Sequence, residues 1–181
     1  AALQPNPVFP AGRYRLRATS QITDAAGLPF AAERAWTFRI PPPAVIASTP
    51  NNNSTHRPGT LTLISARFSV LMDASSLRTG GFQLAHAGPD GQIGTADDVP
   101  WDISSLSISA ASNRMSFVPS PPLRSGRYRA TLTTNAVDIL GNALAAAVSW
   151  NFSVVSPSVT AVSPPDGHAR PVNGLSAIEV Q

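Results

Sequence analysis

The chain has 181 residues, 43% hydrophobic and 13% charged, with a formal net charge of +3. It is too apolar for a disordered tail and too nearly neutral to imply a nucleic-acid partner. Cysteine is absent, which excludes disulfides, thiolate nucleophiles and Cys-based metal sites together.

No apolar run reaches the roughly 18 residues that span a bilayer, so membrane insertion is not expected. The 18 Pro and 12 Gly favour short strands over long helices. The first element in chain order is Gly12 to Ala18, which alternates strictly. Tyr14, Leu16 and Ala18 share one face and Arg13, Arg15 and Arg17 the other, the period of a half-buried strand. A turn at Asp24-Ala-Ala-Gly27 leads to the alternating Trp36-Thr-Phe38, so a hairpin is expected. Further strands are expected near Ala44 to Thr49, Leu63 to Ser69, Phe82 to His86, Trp101 to Ser109, Met115 to Val118, Tyr128 to Thr134 and Ser149 to Val154. Ile64, Ala66 and Phe68 should face inward, and the phase break at Leu61 and Leu63 suggests a bulge. Seven short strands separated by Pro, Gly, Asn and Asp clusters point to an all-β, immunoglobulin-like β-sandwich. Tyr128 has the position of a tyrosine corner, its ring in the core and its hydroxyl on nearby backbone.

The hairpin recurs. Gly12, Arg13, Tyr14, Asp24, Gly27, Trp36 and Phe38 return as Gly126, Arg127, Tyr128, Asp138, Gly141, Trp150 and Phe152, a shift of 114 (126 − 12). The same shift carries Pro43, Val45 and Pro50 onto Pro157, Val159 and Pro164, and Ile64 onto Ile178. A tandem array is the expected organisation. Residues 1–41 form the closing part of one repeat, 42–155 a complete repeat and 156–181 the opening part of a third. Neither outer part can cover its own apolar face, so exposed edges are expected there. The Trp36, Phe38, Trp150 and Phe152 rings are assigned to cores.

Taken together, Phe68-Ser-Val-Leu-Met-Asp73 with Ser76-Leu77, Pro122-Leu-Arg-Ser-Gly-Arg-Tyr128, Asp138-x-x-Gly-Asn142 and Trp150-x-Phe152 resemble the bacterial Ig-like domain of the SbsA type. The resemblance spans Pro43 to Val154 as a full copy, with partial copies on either side. It implies a domain strung in tandem in large bacterial surface or secreted proteins, including S-layer proteins and adhesins, with an extracellular or cell-surface location. It also implies a non-catalytic spacer or adhesion module. The alternative is a carbohydrate-binding or Ca²⁺-assisted module accessory to an extracellular enzyme. Partners are then neighbouring Ig-like repeats and cell-wall or extracellular polysaccharide or protein. The first copy departs from the pattern with Leu28 where the second has Asn142.

One stretch carries site chemistry. Gly88-Pro-Asp-Gly-Gln-Ile-Gly-Thr-Ala-Asp-Asp98 holds three carboxylates, Asp90, Asp97 and Asp98, among three glycines. Ca²⁺ takes six to eight oxygens from carboxylates and carbonyls, so the loop reads as a Ca²⁺ site. It lacks EF-hand spacing, and the other reading is a long hairpin loop in which Asp97 or Asp98 bonds its own backbone. No other cofactor is implied. Asp24 and Asp138 precede turn glycines and are assigned to Asx turns rather than acid-base catalysis. His56 and His168 are read as residues of corresponding loops and His86 as the end of an expected strand; all three are dispersed, without ligand spacing, and are assigned no function, and no Gly-x-Ser-x-Gly elbow occurs. Trp101, directly after the acidic loop, is assigned to core packing, with stacking on a sugar or partner as the other reading. The Arg stripes are read as solvated faces; a polyanion track would be salt-sensitive.

Overall fold

The computed structural model describes residues 9–109, 113–159, 161–163, 165, 167 and 179–180. An N-terminal hairpin comes first. β1 (Gly12–Ala18) and β2 (Arg34–Ile40) pair antiparallel, with Tyr14 opposite Phe38. β3 (Val45–Thr49), β4 (Ser54–His56) and β5 (Ile64–Phe68) follow. A single helical turn, Ala74–Ser76, then runs into a wide π-type turn, Leu77–Gly81. After it come β6 (Phe82–His86), β7 (Val99–Pro100), β8 (Ser107–Ser109), β9 (Arg114–Phe117), β10 (Gly126–Leu132) and β11 (Val148–Val154). A short pair, β12 (Val162–Ser163) and β13 (Glu179–Val180), ends the described chain.

Strands β3 to β11 form two sheets. One has the order β4-β11-β10-β6-β7 and the other β3-β5-β9-β8. The inward residues of both sheets meet in one core. Ile64, Ala66, Phe68, Met115 and Phe117 come from the four-stranded sheet. Phe82, Leu84, Tyr128, Ala130, Leu132, Trp150, Phe152 and Val154 come from the five-stranded sheet, and all are buried. Phe82 lies 6.2 Å from Phe117 across the interface and 6.4 Å from Trp150. Burial of each such aromatic or aliphatic side chain contributes about 1.5–3 kcal/mol. The architecture is the all-β, immunoglobulin-like sandwich read from the sequence.

Tyr128 is fully buried, and its hydroxyl donates to the Arg124 carbonyl at 2.8 Å. Its ring stacks on Phe152 at 5.3 Å. In the N-terminal hairpin, Tyr14 donates to the Pro10 carbonyl at 2.6 Å and stacks on Phe38, also at 5.3 Å.

The structure corrects several expectations. The long strand from Trp101 to Ser109 is absent: β7 ends at Pro100 in one sheet and β8 starts at Ser107 in the other. Between them the chain crosses the sandwich, and Asp102 closes a turn by accepting the Ser104 N–H at 2.9 Å and the Ser104 hydroxyl at 3.1 Å. Leu61 and Leu63 precede β5 rather than bulging within it; the irregularity of that pair lies on β3, between Val45 and Ala47. Trp36 is 52% exposed, whereas Trp150 is 2% exposed. No second layer covers the hairpin among the described residues, so the Trp36 ring has no facing core. Two short strands were missed: β4, which joins β11 in parallel, and β7, which pairs with β6.

Burial pushes the Tyr128 phenol up to about 12, against the lowering effect of its bond to the Arg124 backbone. A raised folded-state pKa means that the stability is present below the unfolded value of about 10 and is lost as pH climbs through about 12. The Tyr128→Phe variant should therefore lose about 1 kcal/mol at neutral pH through the missing hydrogen bond. It should also show a shallower fall than the parent between pH 10 and 12, measured by urea unfolding across that range.

Candidate functional site

Three neighbourhoods carry the polar chemistry of the two-sheet unit. The first is at the end where the β10–β11 connection meets the segment after β5. Asp138, 6% exposed, accepts the N–H groups of Leu140 at 2.9 Å and Asn142 at 2.8 Å through Oδ1, and the Asn142 side-chain amide at 2.9 Å through Oδ2. Gly141 adopts φ +82°, a conformation that favours glycine. Asp24 holds the equivalent turn of the N-terminal hairpin by accepting from Ala26 and Leu28, both at 2.9 Å, with Gly27 at φ +83°. Both carboxylates thus do the turn work expected of them. The departure at Leu28 leaves the backbone turn intact, because the donor there is a main-chain N–H.

At the same end Asp73 caps the helical turn by accepting the Ser76 N–H at 2.8 Å, and the Ser76 hydroxyl oxygen accepts the Val137 N–H at 3.1 Å. The Asp73 N–H donates to Val137 O at 2.9 Å. The Met72-Asp73-x-x-Ser76 segment is therefore a clasp on the β10–β11 connection, a role that strand periodicity does not reveal.

The second neighbourhood is the acidic loop between β6 and β7. Asp90 Oδ1 accepts the Gln92 N–H at 2.8 Å, and Asp98 Oδ2 accepts the Gly94 N–H at 2.7 Å. Asp97 accepts the Thr95 hydroxyl at 2.6 Å and the Asp90 N–H at 3.2 Å. The Thr95 hydroxyl first, and the Asp90 N–H second, hold the Asp97 carboxyl below its ordinary value. A side chain on Gly88 would overlap the Asp97 backbone oxygen and carboxylate, so the loop closes tightly on itself. Among the described residues no three His, Cys, Asp or Glu side chains stand as a group able to hold a metal ion. Oδ1 of Asp98 is buried without a hydrogen-bond partner.

The third neighbourhood is an open cleft of about 410 Å³ on the outer face of β10 and β11. Arg127 and Arg129 project into it beside Asn53, Gln92, Asn151 and Ser153. Nε of Arg129 donates to Oδ1 of Asn151 at 3.1 Å. The Arg stripe thus acquires walls from the acidic loop and from the turn before β4, which adjacency in sequence could not show.

His56 is a strand residue rather than a loop residue, and His86 ends a strand as expected. His56 lies on β4 with Nε2 2.9 Å from the Ser54 hydroxyl oxygen. His86 ends β6 with its ring 4.9 Å from Tyr128 and edge-on to it. Its imidazole occupies the space over Gly126, where a Cβ would collide with Nε2. His168 lies outside the described residues. Trp101 is half-buried, packs edge-on against Tyr128 at 5.8 Å and borders an apolar hollow with Val99, Pro100 and Pro121. The packing against Tyr128 is the core role assigned to it. Among the described residues no helix is long and apolar enough to cross a membrane.

The model of the bacterial Ig-like domain matches residues 39–154. Among solved structures, PcoC, a methionine-rich copper resistance protein from Escherichia coli, is similar with a TM-score of 0.47 and 20% identity, over 62% of this chain and 97% of that one. Domains 1–6 of the surface layer protein SbsC align with a TM-score of 0.42 and 13% identity, over 67% of this chain and 15% of that one. No curated protein matches the chain. The matched residues take in both sheets of the sandwich with its buried Tyr128, its Asp138 turn and its Asp73 clasp, and the chain belongs to the bacterial Ig-like domain family.

Proposed function

We propose that this chain is a stretch of a tandem array of Ig-like domains of the SbsA type, in which each unit spaces its neighbours along an extended bacterial surface or secreted protein. Domains of this family are generally non-catalytic structural or binding modules. The observation that carries the reading is a match of pairing register. β1 pairs with β2 from Gly12↔Ile40, and β10 pairs with β11 from Gly126↔Val154, each partner displaced by 114 (126 − 12 and 154 − 40). The pair Val162↔Val180 stands to Ser48↔Ala66 by the same displacement (162 − 48 and 180 − 66). Identical registers at a constant displacement are what a duplicated fold requires, because a slip of one residue would turn every inward side chain outward.

The joint between the first two units supports a stiff spacer. Pro41, Pro42 and Pro43 restrict the connecting segment, and Pro43 is buried. Oδ1 of Asn142 accepts the Ala11 N–H at 2.7 Å, while the Asn142 amide nitrogen is held by Asp138. The turn of one unit therefore grips the backbone ahead of the preceding strand. Amide ¹⁵N relaxation of the whole chain should give one correlation time for β1–β2 and the two-sheet unit, and Asn142→Ala should separate them. Independent tumbling in the parent chain would overturn the stiff joint.

The alternative, a Ca²⁺-assisted binding module, is favoured by one atom: the unpartnered, buried Oδ1 of Asp98 in the acidic loop. A bound cation would satisfy that oxygen and raise the melting temperature through linkage. Thermal unfolding with and without millimolar Ca²⁺ separates the readings. A rise favours the cation loop, and an unchanged midpoint favours the spacer without metal.

A further inference from the structure

We propose that the cleft across the outer face of β10 and β11 holds the carboxylate of an acidic glycan, gripped by the guanidinium groups of Arg127 and Arg129. This site does not depend on the spacer reading, since a unit that spaces its neighbours still presents this face. Four observations support it.

Arg129 is fixed before any ligand arrives. Its Nε donates to Oδ1 of Asn151 at 3.1 Å. Asn151 is itself held on both sides: its N–H donates to Asn52 Oδ1 at 2.8 Å, and its carbonyl accepts the Asn53 N–H at 2.7 Å. From the other side the acidic loop closes in at Gly94, at φ +99°, where a Cβ would lie 3.2 Å from one terminal nitrogen of the guanidinium. A guanidinium held by its Nε leaves the two terminal nitrogens as a planar fork, the geometry that meets a carboxylate through two parallel hydrogen bonds.

That fork has no acceptor among the described residues. Among the described residues the only ion pair joins Arg17 to Glu33, in the N-terminal hairpin. Neither the guanidinium of Arg127 nor the terminal nitrogens of Arg129 make a hydrogen bond among those residues. Arg127 stands two residues along the same strand and on the same face, so a second cation faces the same space.

The carboxylates closest in sequence to the cleft wall do not neutralise it. Both oxygens of Asp97, Oδ1 of Asp90 and Oδ2 of Asp98 accept from the backbone or a hydroxyl of their own loop, Oδ1 of Asp98 is buried, and none of the three residues lines the cleft. Their charge nevertheless remains close by, which disfavours a phosphate polymer, whose single charges follow one another closely along the chain, more than a uronate chain with one carboxylate per sugar.

Apart from Ile93 and Phe152, the rest of the lining suits hydroxyl groups. Asn53, Gln92, Asn151 and Ser153 offer both donors and acceptors. The cleft presents no exposed ring on which a nucleic-acid base could stack, since Phe152 points into the core and is 1% exposed. A volume of about 410 Å³ falls within the range of small-ligand sites.

The test is calorimetric titration of the whole chain with an oligogalacturonate, a neutral oligoxylose of matched length and an inorganic polyphosphate. The uronate should bind and the neutral sugar should not. Raising NaCl from about 50 mM to about 500 mM should weaken binding, as for any exposed charge contact. Arg127→Gln and Arg129→Lys should each weaken it by about tenfold or more, the second because an ammonium cannot form the fork. Arg127 is exposed, so Arg127→Gln should leave the melting temperature unchanged and show that the loss is not one of folding. Absence of uronate binding, binding indifferent to Arg127→Gln, or equal binding of oligoxylose or polyphosphate would each overturn the proposal. None of these outcomes bears on the joint at Asn142.

Discussion

Tyr128 is where the sandwich is tied together. Its ring stacks on Phe152 within its own sheet and meets the edges of His86 and Trp101. Its hydroxyl is secured on the Arg124 carbonyl, in the segment that carries the chain from β9 of the opposite sheet. Burying a phenol this completely is tolerable because its one polar atom has a partner. Gly126 is part of the same arrangement: His86 occupies the volume that a side chain there would need. The Gly-Arg-Tyr triplet is thus a packing solution as much as a turn.

The opposite end of the two-sheet unit is held by carboxylates instead of rings. Asp138 gathers three donors of the β10–β11 connection, and Asp73 with Ser76 ties the helical turn to the same loop. Satisfying these donors internally leaves Asn142 free to present its side-chain Oδ1 to Ala11. Core and connection are therefore stabilised by different physics. The core depends on apolar burial, while the loop end depends on charge-assisted hydrogen bonds to backbone N–H groups.

Much of this was legible before any coordinates. Strict alternation in Gly126 to Leu132 fixes which side chains turn inward, and Tyr128, Ala130 and Leu132 are fully buried. The Asp-x-x-Gly turns were readable because an Asx turn needs only local residues. What escaped the sequence depends on partners far away along the chain. β4 is three residues long and owes its existence to β11, to which it adds in parallel. The apolar run from Trp101 to Leu106 looks like a strand, yet it carries the chain between sheets, and no local signal marks the crossing. Trp36 and Trp150 have matching neighbours in sequence and differ in burial because a facing sheet covers only the second. The Arg cleft was half visible: the alternation put Arg127 and Arg129 on one face, while its walls come from residues about 35 to 75 positions away.

The two-sheet unit closes a core of its own around Tyr128, while the β1–β2 hairpin has none among the described residues. Amide hydrogen exchange on the intact chain tests this most directly, since amides in a cooperative core exchange only through its global opening. Strands β5, β6, β10 and β11 should share one high level of protection. Strands β1 and β2 should exchange faster by at least about two orders of magnitude. Equal protection of the hairpin and the sandwich, or scattered protection within β10 and β11, would contradict it.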